Sequence, residues 1–555
     1  MSISQRPDLP PHYYRDNFLQ LCDTVQERYE DLLLERERAL LQDFRRLPFA
    51  AQCLYVRLVS RVGPWFRMDK LAYPEIGELS AALDALLAAE MVSAPEQLSL
   101  EELGRLYTRE EFRRAFGDDA GLSRAADKTS LLDAVAELGP DPAGCMARLQ
   151  ALAGGPVIGP RGVETVQLLQ LLFFGNRRQS LTEFVLSDLG IARYYPYSLE
   201  AASRLFPNRE ALDEYLLWAR LGDRHRELLE GDQLEDLPAL GAELLLSRPR
   251  FPATQRRWYR QCNALARDLE RMGEMDLAAR LYACSRRHPA RERRARILER
   301  GGNWQAAASL CREILAEPWC EEEREAASRI LLRVERKLGG PPVSRRREPF
   351  RIEELSLPRG EEAVELQVAG HISPQWSSVH YVENRLMNAL FGLAFWEEIF
   401  APVAGAFHNP YQSLPADMYE PGFRQQRREL LQDRWTRLQN RDLGRELAAA
   451  YRRYEGYQCR WVNWRVIDEE LVARAATIIP DDRLLAIWER LWFDPRENRR
   501  GFPDLLALGD APGDYCLIEV KGPGDTLQDS QKRWLRFFAG NDIPAMVARV
   551  SWSDD

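Results

Sequence analysis

The stretch GFPDLLALGDAPGDYCLIEVKGPGD, residues 501–525, decides how the C-terminal part of this chain is read. LLAL and YCLIEV are short apolar runs rich in branched residues, and the GDAPGD between them carries the Gly, Asp and Pro of a tight connection. The segment therefore predicts a β-hairpin. Side chains alternate across a strand, which sends Glu519 and Lys521 to one face and Cys516, Ile518 and Val520 to the other, toward a core. Asp504, directly after Pro503, opens the first strand, with fourteen residues between it and Glu519. Downstream, SQKRWLRFF (530–538) has the spacing of an amphipathic helix that brings Gln531 and Lys532 toward the same end.

This set of groups suits phosphodiester hydrolysis. Asp504 and Glu519 offer hard oxygens of the kind that hold Mg²⁺ or Mn²⁺, and the backbone carbonyl of Val520 could add another. Such a cation offsets charge building on a scissile phosphate and lowers the pKa of a bound water. Lys521 can orient that water or stabilise the pentavalent anion. A P-D…E-x-K triplet also arises as a plain surface ion pair. Three features favour a site: the strand is flanked by glycines, Glu519 and Lys521 share a face backed by an apolar one, and a helix follows. The pattern is that of a PD-(D/E)XK nuclease, with Asp525 and Gln531 as supporting candidates.

The rest of the chain is long enough for company. At 555 residues, one hydrophobic core does not suffice, and three or four domains are expected. An apolar content of 45% with 29% charged residues is that of a soluble globular protein. MSISQRPDLPPHYYRDNF, at the start, has no apolar segment of a signal peptide, and no run approaches the roughly 20 residues of a membrane helix. A cytoplasmic location with no membrane partner is expected. The nine cysteines include no C-x-x-C pair, which argues against a zinc finger and a dense disulfide framework and leaves most as small core residues. Net charge is −9, yet residues 248–300 hold 15 Arg against six acidic side chains. The basic residues are almost all Arg, whose planar fork grips phosphate bidentately; Lys occurs only five times.

Upstream, residues 14–45 read as helix, and 49–92 as a helix-turn-helix or winged unit broken at Gly63-Pro64. Arg57, Arg61, Arg67 and Lys70 lie among Trp65, Phe66 and Tyr73, a mixture that suits contact with a nucleic-acid backbone. Residues 99–136 resemble a SAP-type DNA-binding fold of two short helices, with Lys128 opening the second, where backbone N–H groups and charge can hold a phosphate together. The run from Leu168 to Phe174 is apolar enough to be buried. From about 215 to 338 the pattern becomes helical hairpins. Gly273 to Ala278 repeats as Gly302 to Ala307, a period of 29 residues that predicts a TPR-like solenoid. Arg256 and Arg257 in its basic stretch are candidate DNA contacts. GGPPVSRRREP (339–349) reads as a linker. The expected domains are 1–150 (DNA-binding, with the SAP-like part), 151–338 (repeats) and 350–555 (nuclease).

DPRENRRGFPDLLAL…YCLIEVKGPGDTLQDSQKRWL resembles the VRR-NUC domain. Taken with LYVRLVSRVGPWFRMDKLAY (54–73), FFGNRRQSLTEFVLSDLGI (173–191) and HYVENRLMNALFGLAFWEEIFAPVAGAFHNPYQSLPADMY (380–419), most of the chain resembles the Fanconi-associated nuclease family. The resemblance implies a multidomain, mainly α protein: a winged-helix/SAP-like region, TPR-like repeats and a C-terminal α/β nuclease domain. It also implies that Glu383, in the helix HYVENRLMNALFG, is a further metal-binding residue beside Asp504, Glu519 and Lys521. The implied activity is structure-specific: a 5′-flap endonuclease with 5′-to-3′ exonuclease action on branched or flapped duplex DNA, in interstrand cross-link repair, with Mg²⁺ or Mn²⁺. Animal members carry a ubiquitin-binding zinc finger that the cysteines here do not form, so a bacterial-type member, monomeric and without ubiquitin recruitment, is expected to work at the nucleoid. His371, His380 and His408 are read as structural. A Holliday-junction resolvase and a non-catalytic DNA-binding scaffold are the alternatives.

Overall fold

A computed structural model describes residues 10–61, 63–117, 127–139, 141–152, 155–177, 179, 192–341 and 348–553. The chain divides into two compact units, Met1–Ala192 and Arg193–Asp555. Most of FFGNRRQSLTEFVLSDLGI and residues 342–347 of the expected linker lie outside the described residues.

In the first unit the helix expected over 14–45 is two, Tyr13–Tyr29 and Glu35–Arg46. Leu33 is extended between them, and the Glu37 carboxylate accepts from the Leu34 N–H at 2.8 Å to restart the second helix. Helix Phe49–Val59 follows, then the short strands β1 (Phe66–Arg67) and β2 (Val92–Ser93). Both pair antiparallel with β3 (Val157–Pro160), in the order β1-β3-β2. The helix-turn-helix is thus winged, but its middle strand comes from beyond residue 150, where the first domain was expected to end. The apolar helix Val163–Phe174 is buried as expected and also belongs to this unit. Between β2 and β3 the described residues form four helices, Leu100–Leu106, Arg109–Phe116, Lys128–Glu137 and Pro142–Leu152; the first three lie over the SAP-like stretch, where two were expected. They close on Leu103, Tyr107, Phe112, Leu131, Val135 and Leu149.

The second unit begins with helical hairpins. Pro252–Met272 with Met275–Cys284, and Ala290–Arg300 with Trp304–Ala316, repeat as the 29-residue spacing predicts. Gly273 and Gly302 turn the chain at φ +93° and +73°, the left-handed region that favours glycine. Ala278 and Ala307 are fully buried, where a larger side chain would hold the paired helices apart. Ala307→Leu is therefore expected to destabilise the repeats by about 1–3 kcal/mol, read as earlier urea unfolding of this unit.

A five-stranded sheet follows: β4 (Arg351–Leu357), β5 (Ser378–Tyr381), β6 (Leu505–Leu508), β7 (Tyr515–Lys521) and β8 (Ala545–Trp552), in the order β4-β8-β7-β6-β5. β6 runs antiparallel to β5 and β7; β8 runs parallel to β4 and β7. Leu505, Ala507, Ile518 and Val520 pack with Val368 and Ile372 of the helix Val364–Ile372. Leu506, Leu508, Tyr515 and Leu517 face a larger core with Trp488, Trp492 and Trp534, built by the helices between β5 and β6 and by helix Asp529–Gly540. Both faces are covered, which is why LLAL is uninterrupted rather than alternating. Among the described residues, no helix is long and apolar enough to cross a membrane.

Candidate active site

Hairpin register brings the two carboxylates together. Leu505 pairs with Ile518, so Asp504, one step beyond the ladder, comes opposite Glu519 on the face of Leu506 and Leu517. The Val520 N–H donates to Asp504 Oδ2 at 2.8 Å. The Asp504 carbonyl accepts from Val382 N–H at 2.8 Å and Glu383 N–H at 3.2 Å, fastening the segment after β5 to the start of β6. Glu383 therefore lies in a turn between β5 and helix Leu386–Ala394, not within the helix expected for HYVENRLMNALFG. Pairing of Tyr381 with Leu505 keeps the chain extended to that point. Tyr381 Oη donates to Glu383 Oε2 at 2.7 Å, and Asn384 Nδ2 to Oε1 at 3.3 Å.

Glu519 is fully buried and Asp504 nearly so. Lys521 Nζ lies 2.9 Å from Glu519 Oε1, and Gln531 Nε2 donates to the same oxygen. Gln531 Oε1 in turn accepts from Gln528 N–H at 2.8 Å, capping helix Asp529–Gly540. Gly501 lets the GFPD loop lie on the start of that helix: its φ is +83°, and a Cβ there would come 2.6 Å from the Ser530 carbonyl carbon. Asp525 is exposed and accepts from Gly522 N–H at 3.1 Å, closing the turn after β7. It shapes the strand's exit; the structure records no contact with the carboxylates.

Burial pushes the Glu519 carboxyl up to about 8, Asp504's charge adds to that, and the Lys521 ammonium only partly offsets it. Asp504 rises to about 6, again chiefly by burial, with the Val520 N–H and Lys521 opposing and Glu383 and Glu365 adding to the rise. Glu365, on helix Val364–Ile372, is thus a fourth acid within electrostatic reach that no local pattern marked. Acids held this close against burial suit a divalent cation. So does the buried Glu519 Oε2, which has no hydrogen-bond partner among the described residues. The oxygens of Glu383, Asp504 and Glu519 do not all approach within 4.8 Å of one another. Each acid is held by its own donors: Glu383 by Tyr381, Asp504 by the Val520 N–H, and Glu519 by Lys521 and Gln531.

The candidate DNA contacts divide. Arg67 is buried and spends its guanidinium on Asp69 Oδ2 at 2.6 Å and Glu111 Oε2 at 2.7 Å, which removes it as a phosphate ligand. Its role is to tie the wing to the SAP-like helices. Lys128 is half-buried, donates to the Tyr107 carbonyl at 2.7 Å and opens helix Lys128–Glu137. Arg61 is exposed and donates to Tyr73 Oη at 2.8 Å; Lys70 is exposed beside Glu111. In the repeats, Arg257 donates to Tyr215 Oη at 3.2 Å and Arg256 lies 2.7 Å from the Gln426 amide. Four arginines of the basic stretch are already paired: Glu270 takes Arg293 and Arg300, Glu292 takes Arg296, and Glu323 takes Arg291. His408 is buried, and His380 Nε2 lies 2.9 Å from Ser378 Oγ.

Comparison with known proteins agrees with this architecture. Family models match as the FAN1 HTH domain over 12–93, the Fanconi anemia-associated nuclease SAP domain over 97–143 and the VRR-NUC domain over 439–552. The chain is 39% identical over 555 residues to the Fanconi-associated nuclease 1 homolog of Pseudomonas aeruginosa, covering 99% of this chain and 98% of that protein. It is 23% identical to the Arabidopsis thaliana homolog, over 99% of this chain and 68% of that one. A crystal structure of paFAN1 bound to 2-nt 5′-flap DNA with a gap superposes with a TM-score of 0.82 at 38% identity, over 99% of this chain and 100% of that one. Nuclease domains of the VRR-NUC type depend on divalent metal. With its winged helix, SAP part, helical repeats and terminal α/β module in family order, the chain belongs to the Fanconi-associated nuclease family, and it is a DNA nuclease.

Proposed function

We propose that this nuclease is a 5′-flap endonuclease with 5′-to-3′ exonuclease action that serves interstrand cross-link repair, with Asp504, Glu519 and Lys521 as its catalytic residues. The observation that carries the site is the buried pair Asp504–Glu519, whose raised proton affinity and unpartnered oxygen call for a cation. Glu383, Asp504, Glu519 and the Val520 carbonyl would hold it, and an all-oxygen set favours Mg²⁺ or Mn²⁺. When bound, the cation would offset charge on the scissile phosphate and activate a water. Lys521 Nζ, anchored on Glu519 Oε1, keeps donors to spare for the attacking water or a phosphate oxygen. Gln531 holds Glu519 in place and so positions it rather than reacting itself. The substrate rests on kinship with proteins crystallised on flapped DNA. Arg61, Lys70, Lys128, Arg256 and Arg257 are proposed to meet phosphates, giving salt-sensitive binding without sequence preference. The working form is proposed as a cytoplasmic monomer acting at the nucleoid.

The test is cleavage of labelled 5′-flap, 3′-flap, four-way-junction and linear duplex DNA with Mn²⁺, Mg²⁺ or EDTA. Cutting near the 5′-flap junction, abolished by EDTA, is expected. Paired symmetric cuts in the four-way junction would instead mark a resolvase, and binding with no metal-dependent cut would mark a scaffold.

A further inference from the structure

We propose a second, structural metal site in this chain, of the Zn²⁺ class, formed by His288, Cys320 and Glu322 at the edge of the helical repeats. Among the described residues these are the one His/Cys/Asp/Glu group of three whose ligand atoms all lie within 4.8 Å of one another. His288 precedes helix Ala290–Arg300; Cys320 and Glu322 straddle the start of helix Glu321–Lys337. A thiol, an imidazole and a carboxylate form a mixed S/N/O set of the kind zinc takes tetrahedrally, with water as fourth ligand.

Two further observations point to a ligand. His288 Nε2 lies 2.9 Å from Glu292 Oε2, while Nδ1 faces Glu322 Oε2 at 3.3 Å. In the Nε2–H tautomer Glu292, itself held by Arg296 at 2.8 Å, accepts from Nε2–H and the Nδ1 lone pair faces the cluster, the carboxylate–histidine–metal arrangement of zinc sites. The neighbouring glutamates are used differently. Glu321 is buried on Arg490 and Asn498, and Glu323 on Arg291 and the Trp319 N–H. Glu322, between them, is half exposed and turns its carboxylate to His288 Nδ1. The cluster borders an open cleft lined by Arg267, Glu292, Arg293 and Glu325, so an ion can reach it.

An ion here would pin the loop before helix Ala290–Arg300 to the start of helix Glu321–Lys337. That start is already fastened to the nuclease layer, because the Glu321 N–H donates to Asp494 Oδ2 at 2.9 Å. The repeats and the nuclease layer would be stiffened at their seam. Binding takes Cys320 as thiolate and releases its proton.

The test uses Co²⁺ as a spectroscopic stand-in on the full chain, stripped of metal and carrying Asp504→Ala to weaken the all-oxygen site. One equivalent of Co²⁺ is expected to give thiolate-to-cobalt charge transfer and tetrahedral d–d bands, both displaced by Zn²⁺. Cys320→Ser is expected to abolish the charge transfer. Glu292→Gln, which keeps the ligands and removes the orienting charge, is expected to weaken Co²⁺ about 10- to 100-fold. Should Cys320→Ser not fold, His288→Gln carries the test through lost tetrahedral d–d intensity. No charge-transfer band in the parent, or a band unchanged by Cys320→Ser, overturns the proposal.

Discussion

Asp504→Ala is expected to lower 5′-flap cleavage by about 10³-fold or more while leaving flap-DNA affinity within about threefold. Charge stabilisation by a bound cation is worth several kcal/mol, and each about 1.4 kcal/mol is tenfold in rate. Asp504 is the acid that the hairpin sets against Glu519, so its loss is expected to open the proposed cation site. DNA affinity is expected to come mostly from phosphate contacts made elsewhere, which the substitution spares. Asp504 also has a structural duty, because its Oδ2 receives the buried Val520 N–H. Alanine orphans that donor at a cost of about 1–3 kcal/mol. Asp504→Asn keeps an acceptor there and should be as inactive as alanine but more stable. Single-turnover cleavage and equilibrium binding on one labelled flap, with thermal unfolding of both variants, separate these effects. Near-normal cutting by Asp504→Ala would overturn the site assignment.

Divalent-metal affinity of the free protein is expected to be about 100-fold weaker at pH 6 than at pH 8. Glu519, raised to about 8, and Asp504, raised to about 6, must both give up protons to become ligands. Protons therefore compete with the cation, and affinity falls as pH drops. Without the cation the sign reverses for stability. Between the ordinary 4.5 and about 8 the folded chain holds the Glu519 proton more tightly than the unfolded chain does. Stability from this group is thus complete below 4.5 and lost as pH rises through 8. Glu519→Gln should flatten that dependence and abolish tight metal binding. Mn²⁺ titration followed by EPR, alongside metal-free melting curves across the same pH range, reads both; an affinity equal at pH 6 and pH 8 would contradict the burial argument.

Much of this was legible in the chain itself. Alternation in YCLIEVK and the turn residues of GDAPGD predicted the hairpin, and a hairpin's register is local, so the juxtaposition of Asp504 and Glu519 followed. The repeat at Gly273 and Gly302 was equally readable, because a left-handed turn followed by a buried alanine is a constraint within one helical hairpin. Glu383 was singled out only by family resemblance, which set it in a helix, whereas the structure has it in a turn. Its position depends on β5 pairing with β6 across more than a hundred intervening residues. Arg67 reads as a surface cation in any local window, and only the approach of Glu111 shows that it is a buried clamp.

By itself the sequence determined the elements whose geometry is set by near neighbours: the hairpin and its shared acidic face, the amphipathic helix after it, and the paired helices of the repeats. Tertiary structure alone decided which distant acids lie beside the hairpin pair, which arginines are already neutralised, and that Val157–Pro160 completes a sheet begun ninety residues earlier. The physical reason is range. Backbone dihedrals and side-chain alternation are fixed within a few residues, whereas burial, ion pairing and proton affinity depend on whatever the folded chain brings alongside.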